Sequence, residues 1–262
     1  MARVGIDDPN MHLHQNEECV HRFTLINERG ATHLTPNLLR ALRLSLDGLR
    51  GAQPLVIEGT ASDFCHGLDL EWAETLGESS TQASDVMLIQ IMEVFQSILN
   101  TLRRWPKPVI SVVTGHASGA GLGFLGVSDV VIAHEQARFS APETMLGLIP
   151  AKIYPYLVRR MGVARAKLFG MGGVSLTAAK ASAWGLVDEV VDDLNHTLQG
   201  YLKRWARVDS RTVNAMKALT EDHWPIPEGF NADADQRFVE LIKSPSTQQR
   251  MKNFREGVAP WE

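Results

Sequence analysis

The chain has little cysteine and no long apolar run. Its two cysteines among 262 residues, Cys19 and Cys65, lie far apart and fit neither a disulfide framework nor a metal-binding spacing. No apolar stretch reaches the ~18 residues that predict a membrane-spanning helix, and no charged and apolar leader is apparent. The formal net charge of −4 disfavours a general nucleic-acid-binding surface. We therefore expect a globular protein of a reducing cytoplasm, with no metal, membrane or nucleic-acid partner.

What the chain does have is enough apolar sequence for a large core, since 44% of its residues are hydrophobic and 21% are charged. Short β-branched segments bounded by glycine, proline or aspartate predict strands, and they read CVHRFTLIN, PLVIEG, PVISVVTG and DVVIAH. Helical patterns lie between them. One covers Thr35–Arg50, with Thr35 as its cap, and another covers Asp85–Arg104. Strands that alternate with helices predict an α/β fold.

The same pattern divides the chain into three parts. Residues 1–16 have little apolar periodicity and predict a loose N-terminal arm. Residues 17–193 carry the alternating strands and helices, and residues 194–262 read as helices only. The amphipathic pattern of the last part fits a helical layer within one chain as well as an interface between chains.

Two glycine-containing turns, each after an apolar strand, carry the strongest functional signal. The first surrounds Gly67 in SDFCHGLDLEW, and the second runs through Gly119 and Gly121 in GHASGAGLGF. Small residues let backbone N–H groups approach a ligand closely, and a helix opening near Gly121 would add positive potential. Together the turns predict two backbone donors for a developing oxyanion. For either turn alone, a tight strand-to-helix packing turn is the alternative.

Four segments in chain order resemble the successive signatures of the crotonase, or enoyl-CoA hydratase/isomerase, superfamily: LVIEGTASDFCHGLDL, KPVISVVTGHASGAGLGF, FSAPETMLGLIP and SLTAAKASAWGLVDEVV. The resemblance spans residues 20–195. It implies a spiral of ββα units, and a C-terminal helical region that covers the acyl site and builds trimers or hexamers. The implied substrate is an acyl thioester on the phosphopantetheine of coenzyme A or an acyl carrier protein, with no further cofactor. By matching position, the implied oxyanion donors are the backbone N–H groups of Leu68 and Ala120.

Ordinary hydratases of the superfamily carry two catalytic glutamates. This chain has Glu143 at the second position and Gly123 at the first, which makes standard hydration less expected. One branch of the superfamily resembles this chain more closely than the ordinary hydratases do. The resemblance lies in the G-x-G-F segment, in LGLIPAKIYPYLVRRMGVARA and in REGVAPWE. That branch comprises the dehydratases of polyketide β-branching cassettes, which act on 3-hydroxy-3-methylglutaryl groups carried by an acyl carrier protein.

The resemblance to that branch implies loss of water from the substrate to give a 3-methylglutaconyl thioester. Glu143 would act as both base and acid on one face of the substrate. Burial would raise the pKa of Glu143 towards the working pH. The alternative is a carboxylate placed at a helix N-terminus after Pro142, where the helix dipole favours it.

Other candidate residues flank the first turn. Asp69 could supply a second acid or could cap a helix that begins near Leu70. Cys65 is not a candidate nucleophile, because neighbours at a strand end point in opposite directions. A plain polar wall is the alternative role for the two histidines in the set. The residues expected to contact the substrate are His66, Gly67, His116, Gly119 and Gly123.

Three other functions stay open. Sister decarboxylases of the same pathway use a histidine in a setting similar to that of His223. The retained Glu143 and the absence of lysine from residues 62–84 oppose that reading. A hydratase or isomerase linked to coenzyme A would need no protein partner, and a crotonase without activity could serve as a binding module.

Cations are segregated in residues 151–180, which contain no acidic residue. Carrier proteins are acidic around the pantetheine attachment site, so this patch could steer docking. Solvated helix faces and ion pairs are the alternative, and an arginine or lysine could instead hold the distal carboxylate of the substrate. The residues proposed for docking are Arg159, Arg160, Arg165 and Lys167.

Overall fold

The computed structural model describes residues 20–49, 53–79 and 81–261, together with the backbone of residues 13–16. The strands are β1 (Leu13–Asn16), β2 (Val20–Thr24), β3 (His33–Leu34), β4 (Leu55–Glu58), β5 (Gly67–Leu68), β6 (Val109–Val113), β7 (His116–Ser118), β8 (Val130–His134), β9 (Arg138–Ser140), β10 (Ser175–Thr177) and β11 (Glu189–Val191). The α-helices are α1 (Pro36–Gly48), α2 (Leu70–Glu78), α3 (Gln82–Arg103), α4 (Leu122–Val127), α5 (Tyr154–Gly172), α6 (Ala178–Ala183), α7 (Leu194–Trp205), α8 (Ser210–His223), α9 (Phe230–Ile242) and α10 (Pro245–Arg255). Short 3-10 helices at Gly119–Gly121 and Glu143–Leu146 follow β7 and β9.

The large sheet has the order β1-β2-β4-β6-β8-β11. Its strands run parallel, except that β1 pairs with β2 antiparallel. A smaller sheet has the order β10-β9-β7, and β3 pairs with β5 in parallel. Strands of the large sheet are followed by a short strand and then a helix, as in β4-β5-α2, β6-β7-α4 and β8-β9-α5. This is the ββα spiral that the family resemblance predicts.

Local sequence explains where the first helices begin and end. The Thr35 side chain caps α1 by accepting a hydrogen bond from Leu38 N at 3.1 Å, and proline occupies the first helical turn. Helix α3 ends at Arg103, just before Trp105 and its following proline. Both helices lie where the sequence pattern predicts them.

The apolar strands are buried because helices cover both faces of the large sheet. All five residues of β6 are buried, as expected for a parallel strand between two helical layers. One face packs against α1, α3, α4 and α5 in the main core, which includes Leu39, Leu99 and Phe124. The other face packs against Leu198 of α7.

The C-terminal helices have different environments. Helices α9 and α10 pack with α2 and with the 3-10 helix Glu143–Leu146 around a separate apolar cluster. Helix α8, in contrast, buries none of its residues against the described part of the chain.

The predicted loose arm at residues 1–16 needs a correction at its end. Residues 13–16 form β1, whose backbone pairs in register with β2. The edge of the sheet therefore continues beyond the predicted boundary. Residues 1–12 and Cys19 lie outside the described residues.

Within the described residues, no helix combines the length and apolar character needed to cross a bilayer. The same part of the chain contains no cluster of three metal-ligating side chains.

Candidate active site

The two glycine turns predicted to be functional lie face to face. Cys65 and Ala117 form a parallel bridge between the two segments. It is reinforced by the hydrogen bonds from Cys65 N to His116 O at 3.0 Å and from Ser118 N to Cys65 O at 2.8 Å. A methyl group added at Gly67 would lie 3.0 Å from Ala120 N. Because a side chain there would block the approach, glycine is required for the turns to meet.

Both proposed oxyanion donors lie where regular hydrogen bonding is interrupted. The donors His66 N and Asp69 N bond to Thr32 O and Leu34 O, and their spacing of three residues is one more than in a regular parallel ladder. The register that pairs His33 with Gly67 and Leu34 with Leu68 is continuous, so the irregular step lies just before Gly67, which has a φ of +82°. Because Asp69 N donates to Leu34 O, the N–H group of Leu68 points away from β3. Ala120 lies in the first turn of the 3-10 helix, where N–H groups have no intrahelical partner.

Glu143 lies beside this pair of turns. A methyl group added at Gly119, which has a φ of +53°, would lie 3.5 Å from Glu143 Oε1. The other carboxylate oxygen, Oε2, is buried and has no hydrogen-bond partner among the described residues. Burial raises the pKa of Glu143 from 4.5 to about 7, against a smaller lowering by its own backbone N–H. The carboxyl can therefore exchange a proton near neutral pH.

Gly123 is corrected from a substrate contact to a packing position. It is buried in α4 and does not line the cavity that Glu143 lines. A methyl group added there would lie 2.9 Å from Ile153 Cγ2 and 3.1 Å from both Leu99 Cδ1 and Phe95 Cζ. Apolar side chains thus fill the place of the family's first glutamate, and no second carboxyl reaches the site from α4.

The cavity beside Glu143 has a volume of about 250 Å³ and a mainly apolar lining. Leu68, Gly119 and Ala120 lie at its wall, and helices α3, α9 and α10 contribute Met92, Phe238 and Phe254. The polar residues of the lining are His33, His66, Ser118, Glu143 and Lys152. Such a cavity suits an apolar acyl chain with a few directed polar contacts.

The histidines form a row at this wall, of which the sequence analysis missed one member. His66 lines the cavity and its ring stacks on that of His33, with 5.2 Å between ring centroids. His116 is exposed and does not line the cavity, although its ring lies 6.1 Å from that of His66. Burial, followed by the neighbouring His66, lowers the pKa of His33. The pairing of β3 with β5 sets His33 opposite Gly67, and this contact is not visible in the local sequence.

Asp69 is corrected from a second acid to a helix cap. Its side chain accepts a hydrogen bond from Glu71 N at 3.1 Å and pairs with Arg29. It borders a different, open cavity and does not line the one that contains Glu143. The capping alternative is therefore the one observed, since the carboxylate satisfies the start of α2.

Two of the four cations proposed for docking are held within the fold. Arg159 pairs with Glu221 at 2.8 Å, and Arg160 pairs with Asp188 at 2.9 Å. Arg165 and Lys167 are exposed on α5, although Arg165 also donates to a backbone carbonyl. Only these two present their charge to solvent.

The two remaining candidates, His223 and Cys65, are not placed or ionised for catalysis. His223 is exposed at the end of α8 and does not line the cavity, so the decarboxylase alternative lacks its histidine. Cys65 is buried, and burial raises the pKa of its thiol to about 12. The thiolate required of a nucleophile is therefore strongly disfavoured.

A ββα spiral that places two glycine turns and a buried carboxyl around an apolar cavity defines the crotonase class. The chain belongs to the enoyl-CoA hydratase/isomerase family, which matches residues 16–262.

Individual relatives refine this assignment. The chain is 28% identical to the bacillaene synthase dehydratase PksH of Bacillus subtilis, over 79% of each protein. It is 31% identical to the mevalonyl-coenzyme A hydratase sidH of Aspergillus fumigatus, over 78% of this chain and 72% of that protein. The crystal structure of the polyketide biosynthesis enoyl-CoA hydratase pksH from Bacillus subtilis matches with a TM-score of 0.80 and 22% identity, over 94% of this chain and 97% of that one. The predicted fold and superfamily are confirmed, as is the resemblance to a polyketide dehydratase.

Proposed function

We propose that this protein dehydrates a 3-hydroxy-3-methylglutaryl thioester to a 3-methylglutaconyl thioester. The observation that carries the proposal is the buried carboxyl of Glu143, the only carboxyl among the described residues that line the cavity beside the Gly67 and Gly119 turns. Similarity to a dehydratase and to a hydratase supports hydro-lyase chemistry.

The reaction begins with the thioester oxygen between the backbone N–H groups of Leu68 and Ala120. Removing the α-proton moves negative charge onto this oxygen, and donors already in place stabilise it without reorganisation. The Glu143 carboxylate takes that proton. The enolate electrons then form the Cα–C3 double bond as the C3–O bond breaks.

The proton on Glu143 next passes to the departing hydroxyl, which leaves as water, and the carboxylate is regenerated. One group can serve both steps only if the proton and hydroxyl leave from the same face of the substrate. A pKa of about 7 suits both roles at neutral pH. The apolar packing around Gly123 supports this one-carboxyl route.

The natural carrier of the acyl group is proposed to be an acyl carrier protein. The similarity to a dehydratase of a polyketide synthase supports this choice. Arg165 and Lys167, both exposed on α5, are the cations that remain for docking to an acidic partner.

Assembly into a homotrimer or hexamer is also part of the proposal. Helix α8 buries no residue against the rest of the chain that the structure describes, and its outer surface exposes Met216 and Leu219. A second copy of the chain would remove these side chains from water.

A reaction on coenzyme A is the second candidate. The 31% identity to a mevalonyl-coenzyme A hydratase favours it, and the acyl chemistry at Glu143 would be the same. The Arg165→Glu/Lys167→Glu variant separates the two carriers. If the variant slows turnover of the carrier-borne substrate but not of the coenzyme A substrate, docking is supported. If it slows both substrates equally, or neither, the docking role is rejected.

The decisive experiment presents 3-hydroxy-3-methylglutaryl on a carrier protein and on coenzyme A and follows the acyl mass. Wild-type protein is expected to remove one water, and Glu143→Gln to lose at least ~10²-fold in rate. Asp69→Asn is the matched control, because it changes a carboxyl close to the same turn but outside the cavity. Undiminished turnover by Glu143→Gln would exclude this residue from the mechanism, and loss of carbon dioxide would indicate a decarboxylase.

A further inference from the structure

Lys152 is a buried cation in the wall of an otherwise apolar cavity. Its side chain is 6% exposed, and it is the only lysine or arginine among the described residues that line the cavity. It lies on the loop between the 3-10 helix Glu143–Leu146 and α5. A buried ammonium is costly unless it is paired, so its presence in an acyl cavity requires an explanation.

The ion pair of Lys152 leaves part of its hydrogen-bonding capacity unused. The Nζ atom lies 2.5 Å from Asp235 Oδ1 and 2.7 Å from Asp235 Oδ2. Asp235 is on α9 and does not itself line the cavity. An ammonium has three N–H donors, and Asp235 is the only partner of Nζ among the described residues. Asp235 therefore holds the ammonium in place while donor capacity remains for a ligand in the cavity.

Lys152 and Glu143 line this cavity from different elements. Glu143 lies beside the Gly119 turn, whereas Lys152 lies on the loop before α5 and pairs with Asp235 of α9. An acyl group with its thioester at Leu68 and Ala120 would thus have its reacting carbons near Glu143. The far end of the acyl group would contact the remaining lining, whose polar residues are His33, His66, Ser118 and Lys152.

We propose that Lys152, positioned by Asp235, forms the subsite for the distal carboxylate of the acyl group and so selects glutaryl-type thioesters over acyl groups with an apolar tail. This inference rests on the proposed function and identifies the residue that binds the distal carboxylate of the substrate. A charge-assisted hydrogen bond in a water-poor cavity provides the discrimination. An acyl group without the carboxylate would leave the Lys152 donors unpaired, which penalises the wrong substrate.

The test measures binding with thioesters that cannot lose water, so that it does not depend on dehydration. The ligands are 3-methylglutaryl-CoA and isovaleryl-CoA, which differ at the tail by a carboxylate and both lack the 3-hydroxyl group. By titration calorimetry, the wild type is expected to bind the glutaryl ligand about 10- to 100-fold more tightly, and Lys152→Met to lose that preference.

Lys217→Met is the matched control. Lys217 is 10% exposed and its Nζ lies 2.5 Å from Asp129 Oδ2, but this ion pair lies outside the cavity. The control is expected to keep the wild-type preference. If Lys152→Met folds poorly, the double variant Lys152→Met/Asp235→Asn removes both charges and is expected to show the same loss.

The outcomes separate this inference from the proposed function. Equal binding of both ligands by the wild type, or an unchanged preference in the Lys152 variants, would overturn the subsite. Loss of preference in the Lys217 control as well would show a general structural effect and would also overturn it. If the preference depends on Lys152 but 3-hydroxy-3-methylglutaryl thioesters are not dehydrated, the subsite stands and the proposed reaction fails.

Discussion

Replacing Glu143 with glutamine is expected to stabilise the protein at alkaline pH. The folded-state pKa is about 7, whereas the ordinary value is 4.5. Between these values the folded protein binds more protons than the unfolded chain, so the free energy of unfolding falls as the pH rises. Above pH 7 the charged, buried carboxylate costs about 3 kcal/mol at 1.36 kcal/mol per pKa unit. Glutamine removes this cost.

The assay is thermal unfolding of the wild type and Glu143→Gln between pH 5 and pH 8. At pH 8 the variant is expected to melt roughly 6–12 °C higher, at about 2–4 °C per kcal/mol for a chain of this size. At pH 5 the stability gain is expected to shrink to less than about 1 kcal/mol. Glu78→Gln, which removes an exposed carboxylate at the end of α2, controls for the change in net charge. An equal or lower melting temperature of Glu143→Gln at pH 8 would refute the assignment of a desolvated carboxyl.

Two further substitutions test the surroundings of the site, and a third tests a buried histidine on β2. Gly67→Ala places a methyl group 3.0 Å from Ala120 N at a residue with a positive φ. The value of kcat on the thioester substrate is therefore expected to fall by ~10²–10³-fold. An unchanged kcat would show that the two turns do not form a working oxyanion hole. Gly123→Glu is expected to lower the free energy of unfolding by ~1–3 kcal/mol in urea titrations, because it forces a carboxylate against Phe95. A variant that keeps its stability and gains hydratase activity would contradict the packing argument. His21→Leu is expected to raise stability most at acidic pH, because His21 is buried with no hydrogen-bond partner among the described residues and burial lowers its pKa. Its benefit should therefore grow as the pH falls through 6.5, and a benefit independent of pH would argue against a titrating histidine.

Much of the fold could be predicted from the sequence because its signals are local. The β-branched segments gave strands near the predicted positions, and α1 begins directly after Thr35 because the cap and the following proline are adjacent in the chain. The two glycine turns were recognisable for the same reason. Their contact was not deducible from local pattern, since it depends on the bridge between Cys65 and Ala117.

The parts that could not be predicted depend on the direction in which a side chain points and on contacts with residues distant in the sequence. Asp69 follows the oxyanion turn in sequence, but its side chain turns towards the start of α2 and towards Arg29. Arg159 appears free in an acid-poor segment, yet its acidic partner Glu221 lies 62 residues later. His33 carries no local signal, because strand pairing alone brings it opposite Gly67. Tertiary contacts thus reassign residues whose local context suggested another role.

The central claim is that the Leu68 and Ala120 amides and the Glu143 carboxyl together form an enolate from a thioester. Exchange of the α-hydrogen in deuterated water tests this directly, with 3-methylglutaryl-CoA as a substrate that has no hydroxyl to lose. Mass spectrometry is expected to show deuterium uptake at the α-carbon with the wild type and none above background with Glu143→Gln or Gly67→Ala. Uptake by Glu143→Gln at the wild-type rate would contradict the account.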